Sequence, residues 1–403
     1  MTTISLWRKM KQYPQLGLVL LAYVAFVALG MPDGLLGVAW PSIRTHFSIP
    51  LDAIGILLAA GVTGYMTSSF FSGPLVTRLG VGRVLSLSCA LTGLALLGYT
   101  LAPTWWVMVL LGIVAGLGAG AIDAGLNTYA AAHFSEGVMQ WLHASWGIGI
   151  TLGPIIMTFG LTTWNAWQFG YQAVSTFQFL LAAGFALTLG MWQVETRPAA
   201  SETPKKLTNY QTPLLETLLQ PRVWMSIGLF FLYVGGETAL GTWVYTLLTE
   251  SRGVTPTAAG FWAGSYWATF TVGRILAGLF ARRAGVNLLV SGGLIGALAG
   301  SALLVWNPSP LLNLLAVVVI GFSIAPIFPA MMSGTSRRVG EHFAANTIGM
   351  QMAATGLGTA VIPGLMGVFA RQVSLEVIPW CLLAVYGGLL GLYLLTLRSG
   401  ASH

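Results

Sequence analysis

What most constrains this chain is the recurrence, from one end to the other, of apolar stretches about 20 residues long. A helix rises about 1.5 Å per residue, so such a stretch crosses the roughly 30 Å hydrocarbon core of a bilayer. Twelve are expected, at approximately 15–40, 52–76, 83–102, 105–132, 142–163, 170–193, 223–249, 258–281, 286–305, 311–333, 344–369 and 376–397. Of the 403 residues only 7% are charged, against about 25% in soluble proteins. The chain must use lipid as its solvent, where only helices and closed barrels satisfy the backbone. Segments of this length select helices, so the expected class is an all-α integral membrane protein.

Composition also removes alternatives. The net charge of +7 does not point to nucleic acid, because the basic residues punctuate apolar segments and do not cluster on a polar domain. Cys89 and Cys381 both fall in apolar helices and read as small core residues. The chain shows no GxSxG, no HExxH and no His/Cys cluster at metal-ligand spacing, so it is not expected to be an enzyme or to hold a metal or cofactor. Trp7, Arg8, Lys9, Met10 and Lys11 precede the first span without a small-residue cleavage site, and read as a cytoplasmic flank.

A polar segment, 194–222, divides the spans six and six, giving an N-terminal half (1–193), a linker and a C-terminal half (223–403). An even number of spans puts both termini on one side. Fourteen of the eighteen Lys and Arg residues then lie on that side. Arg44, Arg252 and Arg371 lie on the other and Arg274 lies within a span. Basic residues favour the cytoplasmic side, so both termini are expected in the cytoplasm, with the protein in the plasma (inner) membrane.

The halves repeat. Gly73-Pro-Leu-Val-Thr-Arg78-Leu-Gly80 follows span two, and Gly278-Leu-Phe-Ala-Arg282-Arg283-Ala-Gly285 follows span eight. Asp33 to Gly37 in span one matches Glu237 to Gly241 in span seven. Gly147-Ile-Gly149 with Pro154 matches Gly356-Leu-Gly358 with Pro363. Three matches in order, at nearly constant offset, argue for two similar halves, a pseudo-two-fold relation and a site near the midplane.

Three carboxylates lie inside these spans: Asp33, Asp123 and Glu237. A charge at bilayer depth costs roughly 2.5–3.5 kcal/mol by insertion scales, and such residues usually mark an ion or solute pathway. Asp123 and Asn127 are four residues apart and share a helical face. Gly112, Gly116 and Gly120 have the same spacing, which lets helices approach closely. The alternative for Asp123 is a structural carboxylate paired with a neighbour. A carboxyl group in a partly dry cavity can bind and release a proton near neutral pH, so binding proton and solute together couples their movement. Asp33 follows Pro32, which is expected to break or kink span one. Glu237, beside Gly235 and Gly236, is its repeat partner, with a salt bridge to Arg274 as the alternative.

In the architecture of two six-span halves and in these motifs, the chain resembles the major facilitator superfamily of transporters. That family's signature after span two is roughly G-x-x-x-D-R-x-G-R-R. Here it reads Gly73, Thr77, Arg78, Gly80 and Arg83, with Thr77 in place of the acid, which weakens the expected cytoplasmic charge relay. Within the superfamily the chain most resembles the fucose–galactose–proton symporter branch, with an Asp in span one and an acid followed four residues later by Asn in span four. The resemblance implies that Asp33 takes part in proton coupling or substrate binding, and that Asp123 and Asn127 contact the substrate or relay the proton. Gly149-x-x-x-Gly153-Pro154 resembles the start of a proton–drug antiporter motif, but Ile156 and Met157 replace its closing glycines. It reads as a helix bend with close packing.

Further candidates are weaker. His143 is a proton-relay candidate, although a histidine there is more often an interfacial hydrogen-bonding group. Arg274, with Gly278, Arg282 and Arg283, is read as part of a cytoplasmic gate. Trp146, Gln351 and Asn346 are cavity-lining candidates. Trp243 and Trp262 lie deeper than the interfacial tryptophans and could stack on a sugar ring, against a packing role. The expected function is proton-coupled symport of a sugar or similar polar solute by a monomer, with Na+ as the other coupling ion. The runner-up is a proton-coupled exporter of hydrophobic compounds.

Overall fold

The computed structural model describes residues 14–134, 136–192, 212–307 and 309–400. Twelve long helices run through them. They are α1 (Pro14–His46), α2 (Ile54–Leu79), α3 (Val81–Leu101), α4 (Trp105–His133), α5 (Glu136–Trp164), α6 (Gln168–Leu187), α7 (Pro221–Thr246), α8 (Pro256–Ala284), α9 (Val286–Trp306), α10 (Pro310–Ser333), α11 (Glu341–Gln372) and α12 (Val377–Gly400). Ten are long and apolar enough to cross a membrane by length and composition. The other two, α6 and α8, carry Gln172 and Gln178 or several Ser and Thr residues, which dilute their hydropathy. No strand occurs among the described residues. Leu94, Leu110, Leu180 and Leu279 stand exposed in mid-helix, as lipid-facing side chains do. The linker residues Arg197, Lys205 and Lys206 and the flank 7–11 fall outside the described residues, whereas Arg222 lies in the first turn of α7.

Two helices differ from expectation. α1 is not interrupted at Pro32. Proline removes the N–H that would reach the carbonyl of Ala28, and the Nε2 of Gln178 on α6 supplies the missing donor at 2.9 Å. α10 was expected to be continuous. It breaks at Ala325-Pro326, between Pro310–Ile324 and Ile327–Ser333. Pro326 and Pro329 remove two consecutive-turn donors, those that would serve the carbonyls of Phe322 and Ala325.

The described chain separates into two compact units, Met1–Ala39 with Ala60–Thr196, and Trp40–Ala59 with Arg197–His403. In the first, α1 lies on α5, α2 on α4, and α3 on α4 and α6. In the second, α7 lies on α11, α8 on α10, and α9 on α10 and α12. The pattern is the same, six helices later. It holds at single residues. A Cβ on Gly149 would strike the carbonyl of Val27, and one on Gly358 would strike that of Phe231. A Cβ on Gly116 would strike the carbonyl of Gly61, and one on Gly321 that of Tyr266. Gly80 and Gly285 both open the next helix with φ near +75° (78° and 74°) and ψ of 153° and 157°. Only glycine visits that region without strain. The Gly149/Gly153 motif therefore serves close packing, since Gly153 abuts Met31 and Gly34 of α1.

The second unit holds all three ion pairs among the described residues. Arg44 meets Glu250 at 2.6 Å, Arg252 meets Glu376 at 2.7 Å, and Arg371 meets Asp52 at 3.1 Å. These are the three arginines left over from the charge bias, and each carries its own acid. Arg252 also donates to Asn313 Oδ1 and to the carbonyl of Leu304. The paired guanidinium holds the Glu376 carboxyl below its usual range. Between α10 and α11, burial pushes the Arg338 guanidinium down to about 10 while it caps the carbonyl of Met331.

Candidate functional site

In the first unit the close glycine contacts of α4 decide what its polar residues meet. Gly116 and Gly120 press α4 against the backbone of α2 at Gly61 and Tyr65. That brings the Tyr65 hydroxyl onto Asp123 Oδ2, where it donates a short hydrogen bond. Asn127 Nδ2 donates to the other oxygen, Oδ1, at 2.8 Å. Asp123 is thus held from both sides, one donor per oxygen. Tyr65 remains 37% exposed, so one side of the clasp is not covered by its own unit.

The other candidates of this unit converge on the same place. Trp146 of α5 hydrogen-bonds Asp33, and the Asp33 and Asp123 charges interact. His143, one turn before Trp146, interacts electrostatically with Asp123 and sets its ring edge-on to buried Phe26 at 5.6 Å. Glycines again set the distance: Gly30 and Gly34 of α1 sit against the α5 backbone at Trp146 and Ile150. Asp33, Asp123, Asn127, His143 and Trp146 form one cluster, with Asp33 and His143 exposed. Two carboxyls, an imidazole, an amide, a phenol and an indole can bind hydroxyl groups and carry a proton among them. Tyr65 was not singled out in the sequence. The signal for it was the glycine ladder of α4, which requires a facing helix at Gly61 and Gly64.

In the second unit Glu237 is 9% exposed. Tyr233 is its hydrogen-bonding neighbour one turn away, and Arg274 interacts with it through space. No contact ion pair joins Glu237 to Arg274 among the described residues; the Arg274 guanidinium lies over the Phe270 ring at 4.4 Å. Tyr266 donates to the backbone carbonyl of Glu237 at 2.7 Å, and the buried Tyr386 hydroxyl makes no hydrogen bond. The repeat is not chemically symmetric. The position matching Asp123 is Phe328, which packs on Phe230 and Tyr233.

Other expected lining residues sit elsewhere. Trp243 is 0% exposed and its indole donates to the carbonyl of Pro363 at 3.0 Å. It presents no free face to a solute and is a packing residue in this structure. Gln351, also 0% exposed, bonds Ser226 at 2.7 Å and Thr335 at 3.2 Å, stapling α11 to α7. Asn346 binds Thr212 and Thr217. Trp262 is half-buried in α8. In the signature segments, Gly73, Arg78, Gly80 and Arg83 are exposed, and Thr77 turns its hydroxyl back onto the Gly73 carbonyl at 2.9 Å. Gly278 is exposed with open space around it, whereas the side chains of Arg282 and Arg283 lie outside the described residues.

The repeated helix packing and the signature turns are those of a carrier superfamily. The profile of the Major Facilitator Superfamily matches residues 22–363 and 225–401, and the chain belongs to that family. It is an all-α, multi-pass integral membrane protein and not an enzyme. It is 23% identical to the glucose/mannose transporter GlcP of Bacillus subtilis, over 87% of each chain. It is 23% identical to the human sodium-dependent glucose transporter 1, over 85% of this chain and 72% of the relative. Bypass of stop codon protein 6 of Saccharomyces cerevisiae is also 23% identical, over 91% of this chain and 80% of the relative. Among solved structures, a mutant of the nucleoside transporter NupG superposes with a TM-score of 0.76 over 94% of this chain and 99% of that one, at 13% identity.

Proposed function

We propose that this chain is a secondary active transporter that moves a sugar or similar polar solute together with a proton, by alternating access. The observation that carries the reading is the Asp123 clasp: a mid-span carboxyl held by Tyr65 and Asn127, with Asp33 and His143 beside it. Each element has a role in the cycle. Asp123 exchanges a proton, and Asn127 and Tyr65 exchange hydrogen bonds between Asp123 and the solute's hydroxyls. Asp33, oriented by Trp146, contributes the second carboxyl, and His143 offers a route to solvent. Two relatives are named as glucose transporters, which supports a sugar-like solute. The halves 1–193 and 223–403, joined by the linker 194–222, are the moving bodies. Both termini lie in the cytoplasm, on the evidence of the charge bias, in a plasma (inner) membrane, and the monomer suffices.

A second reading, Na+ coupling, is favoured by one relative's being named sodium-dependent. One experiment separates these. Proteoliposomes carrying an internal pH dye are offered a panel of sugars, with and without Na+, for wild type and Asp123→Asn. Sugar-dependent acidification that is lost in the variant supports proton symport. Sugar uptake that needs Na+ and leaves the internal pH unchanged replaces it with sodium coupling. Drug-driven alkalinisation of acid-loaded vesicles, with no response to any sugar, refutes symport and leaves an exporter.

A further inference from the structure

The short helix Leu214–Leu218, which leads into α7, is amphipathic in the sense opposite to that of a helix in water. Thr217 is 0% exposed, whereas Leu215 and Leu219, the latter at the C-terminal cap, are 69% and 71% exposed. Residues two apart lie on nearly opposite faces of a helix, and residues four apart share one. The polar face is spent on α11. Asn346 Nδ2 donates to Thr217 Oγ1 and to the Thr212 carbonyl, each at 3.0 Å, and Thr212 Oγ1 donates to the His342 carbonyl at 2.8 Å. From α7, the Trp224 indole donates to the Leu218 carbonyl at 2.7 Å. The side chains of Trp224 and Leu214 are themselves exposed.

These bonds fix the level at which the helix sits. It bridges the beginnings of two spans, since Trp224 lies in the first turn of α7 and His342 and Asn346 lie in the first two turns of α11. The span from Pro221 to Ser251 has 31 residues and α11 has 32. At about 1.5 Å per residue, each is longer than the roughly 30 Å hydrocarbon core, so their ends reach the headgroup layer. A helix tied to both ends runs along the bilayer surface, at the depth where tryptophan is enriched. The preceding segment, 194–211, is poorly suited to cover the leucines, because Val194, Leu207 and Tyr210 are its only large apolar residues. Its Lys205 and Lys206 suit an anionic headgroup layer.

We propose that Leu214–Leu218 is an interfacial anchor whose partner is the lipid leaflet on the linker side of the membrane. Leu215 and Leu219, flanked by Leu214 and Trp224, seat at the boundary between headgroups and acyl chains. Glu216, the charged residue of the helix, is exposed beside them and stays among the headgroups. A helix this short does not persist on its own propensity. Two supports hold it, the hydrogen bonds of α11 on one face and lipid on the other. The free part of the linker then ends at Thr212, ahead of α7, and the residues after it move with the C-terminal half. This anchor depends on neither the solute nor the coupling ion.

The test places an environment-sensitive fluorophore on Leu215→Cys or Leu219→Cys in the full chain, with Cys89→Ala and Cys381→Ser, in nanodiscs of phosphatidylethanolamine and phosphatidylglycerol. Emission should be quenched more strongly by nitroxide lipids labelled near the headgroup than by those labelled near the chain end, and should be shielded from aqueous iodide. Iodide quenching equal to that of the free dye overturns the proposal, because the leucines then face water. Shielding from both quenchers overturns it too, because protein then covers them. Stronger quenching near the chain end removes the interfacial depth and with it the anchor. An unlabelled check uses Leu215→Gln with Leu219→Gln, at exposed positions that leave the polar contacts in place. Amide exchange across 212–219 in nanodiscs should quicken by about tenfold or more as the leaflet's share of the support is lost. Exchange unchanged from wild type refutes a lipid contribution.

Discussion

The bond from Gln178 to Ala28 allows a quantitative test, because the sequence explains why it exists. Pro32 has no N–H, so the Ala28 carbonyl lacks its intrahelical donor, and Gln178 Nε2 reaches it from α6 at 2.9 Å. Gln178 is 1% exposed, so in Gln178→Leu no water replaces the bond. Leaving a buried acceptor unsatisfied costs about 1–3 kcal/mol. The variant also removes Gln178 Oε1, which is buried without a partner and is a cost in wild type. The net loss should fall near the lower end, about 1–2 kcal/mol, or roughly a five- to thirtyfold shift in the unfolding equilibrium. Reversible unfolding by SDS in mixed micelles measures it. The decisive measurement is a double-mutant cycle with Pro32→Ala, which restores an N–H to residue 32 and thus an intrahelical donor to Ala28. In that background Gln178→Leu should cost close to nothing. Equal costs in both backgrounds would refute the account of why α1 passes through Pro32 unbroken.

Three further outcomes follow from the geometry. Gly80→Ala should destabilise by about 1–3 kcal/mol from backbone strain alone, since no atom crowds the site, while Gly278→Ala, in open space within a helix, should be neutral or stabilising; both are read in the same unfolding assay. Trp243→Phe should lower stability by about 0.5–1.5 kcal/mol, by removing the indole's hydrogen bond to the Pro363 carbonyl, with no change in half-saturating solute concentration. Glu376 is held below its ordinary value of 4.5 in the folded state, so the stability it adds is present above that value and is lost as pH falls beneath it. Its side chain is 42% exposed, so the loss should stay under about 1 kcal/mol, and Glu376→Gln should remove that part of the acid slope.

The helices and their repeat were legible because lipid imposes a length and a polarity on every span. The acids were legible for the same reason, since a carboxylate among apolar residues stands out. Asp123 and Asn127 could be paired from their spacing because one helix carries both. What could not be read were partners brought by another helix. Tyr65 is 58 residues from Asp123 and Gln178 is 150 from Ala28. Pro32 shows the limit most clearly. The local rule predicts a break, and a side chain from α6 cancels it, whereas Pro326 and Pro329 come in one run and α10 does break. Trp243 and Gln351 were read as lining because polar or aromatic residues in a span suggest function, but each is absorbed by a neighbour's backbone or hydroxyl.

Gly80 and Gly285 bear on how such a chain can diverge from its own duplicate. The first copy has Thr77 where the family's motif has an acid, and the position of Asp123 in one half is matched by Phe328 in the other, so side-chain chemistry has drifted freely between them. The turn has not, because a conformation near φ +75°, ψ +155° admits one residue type. Drift is thus confined to what the backbone tolerates. The joints of the two copies stay alike while their interiors specialise, and the older common plan is written most durably in the residues that have no side chain at all.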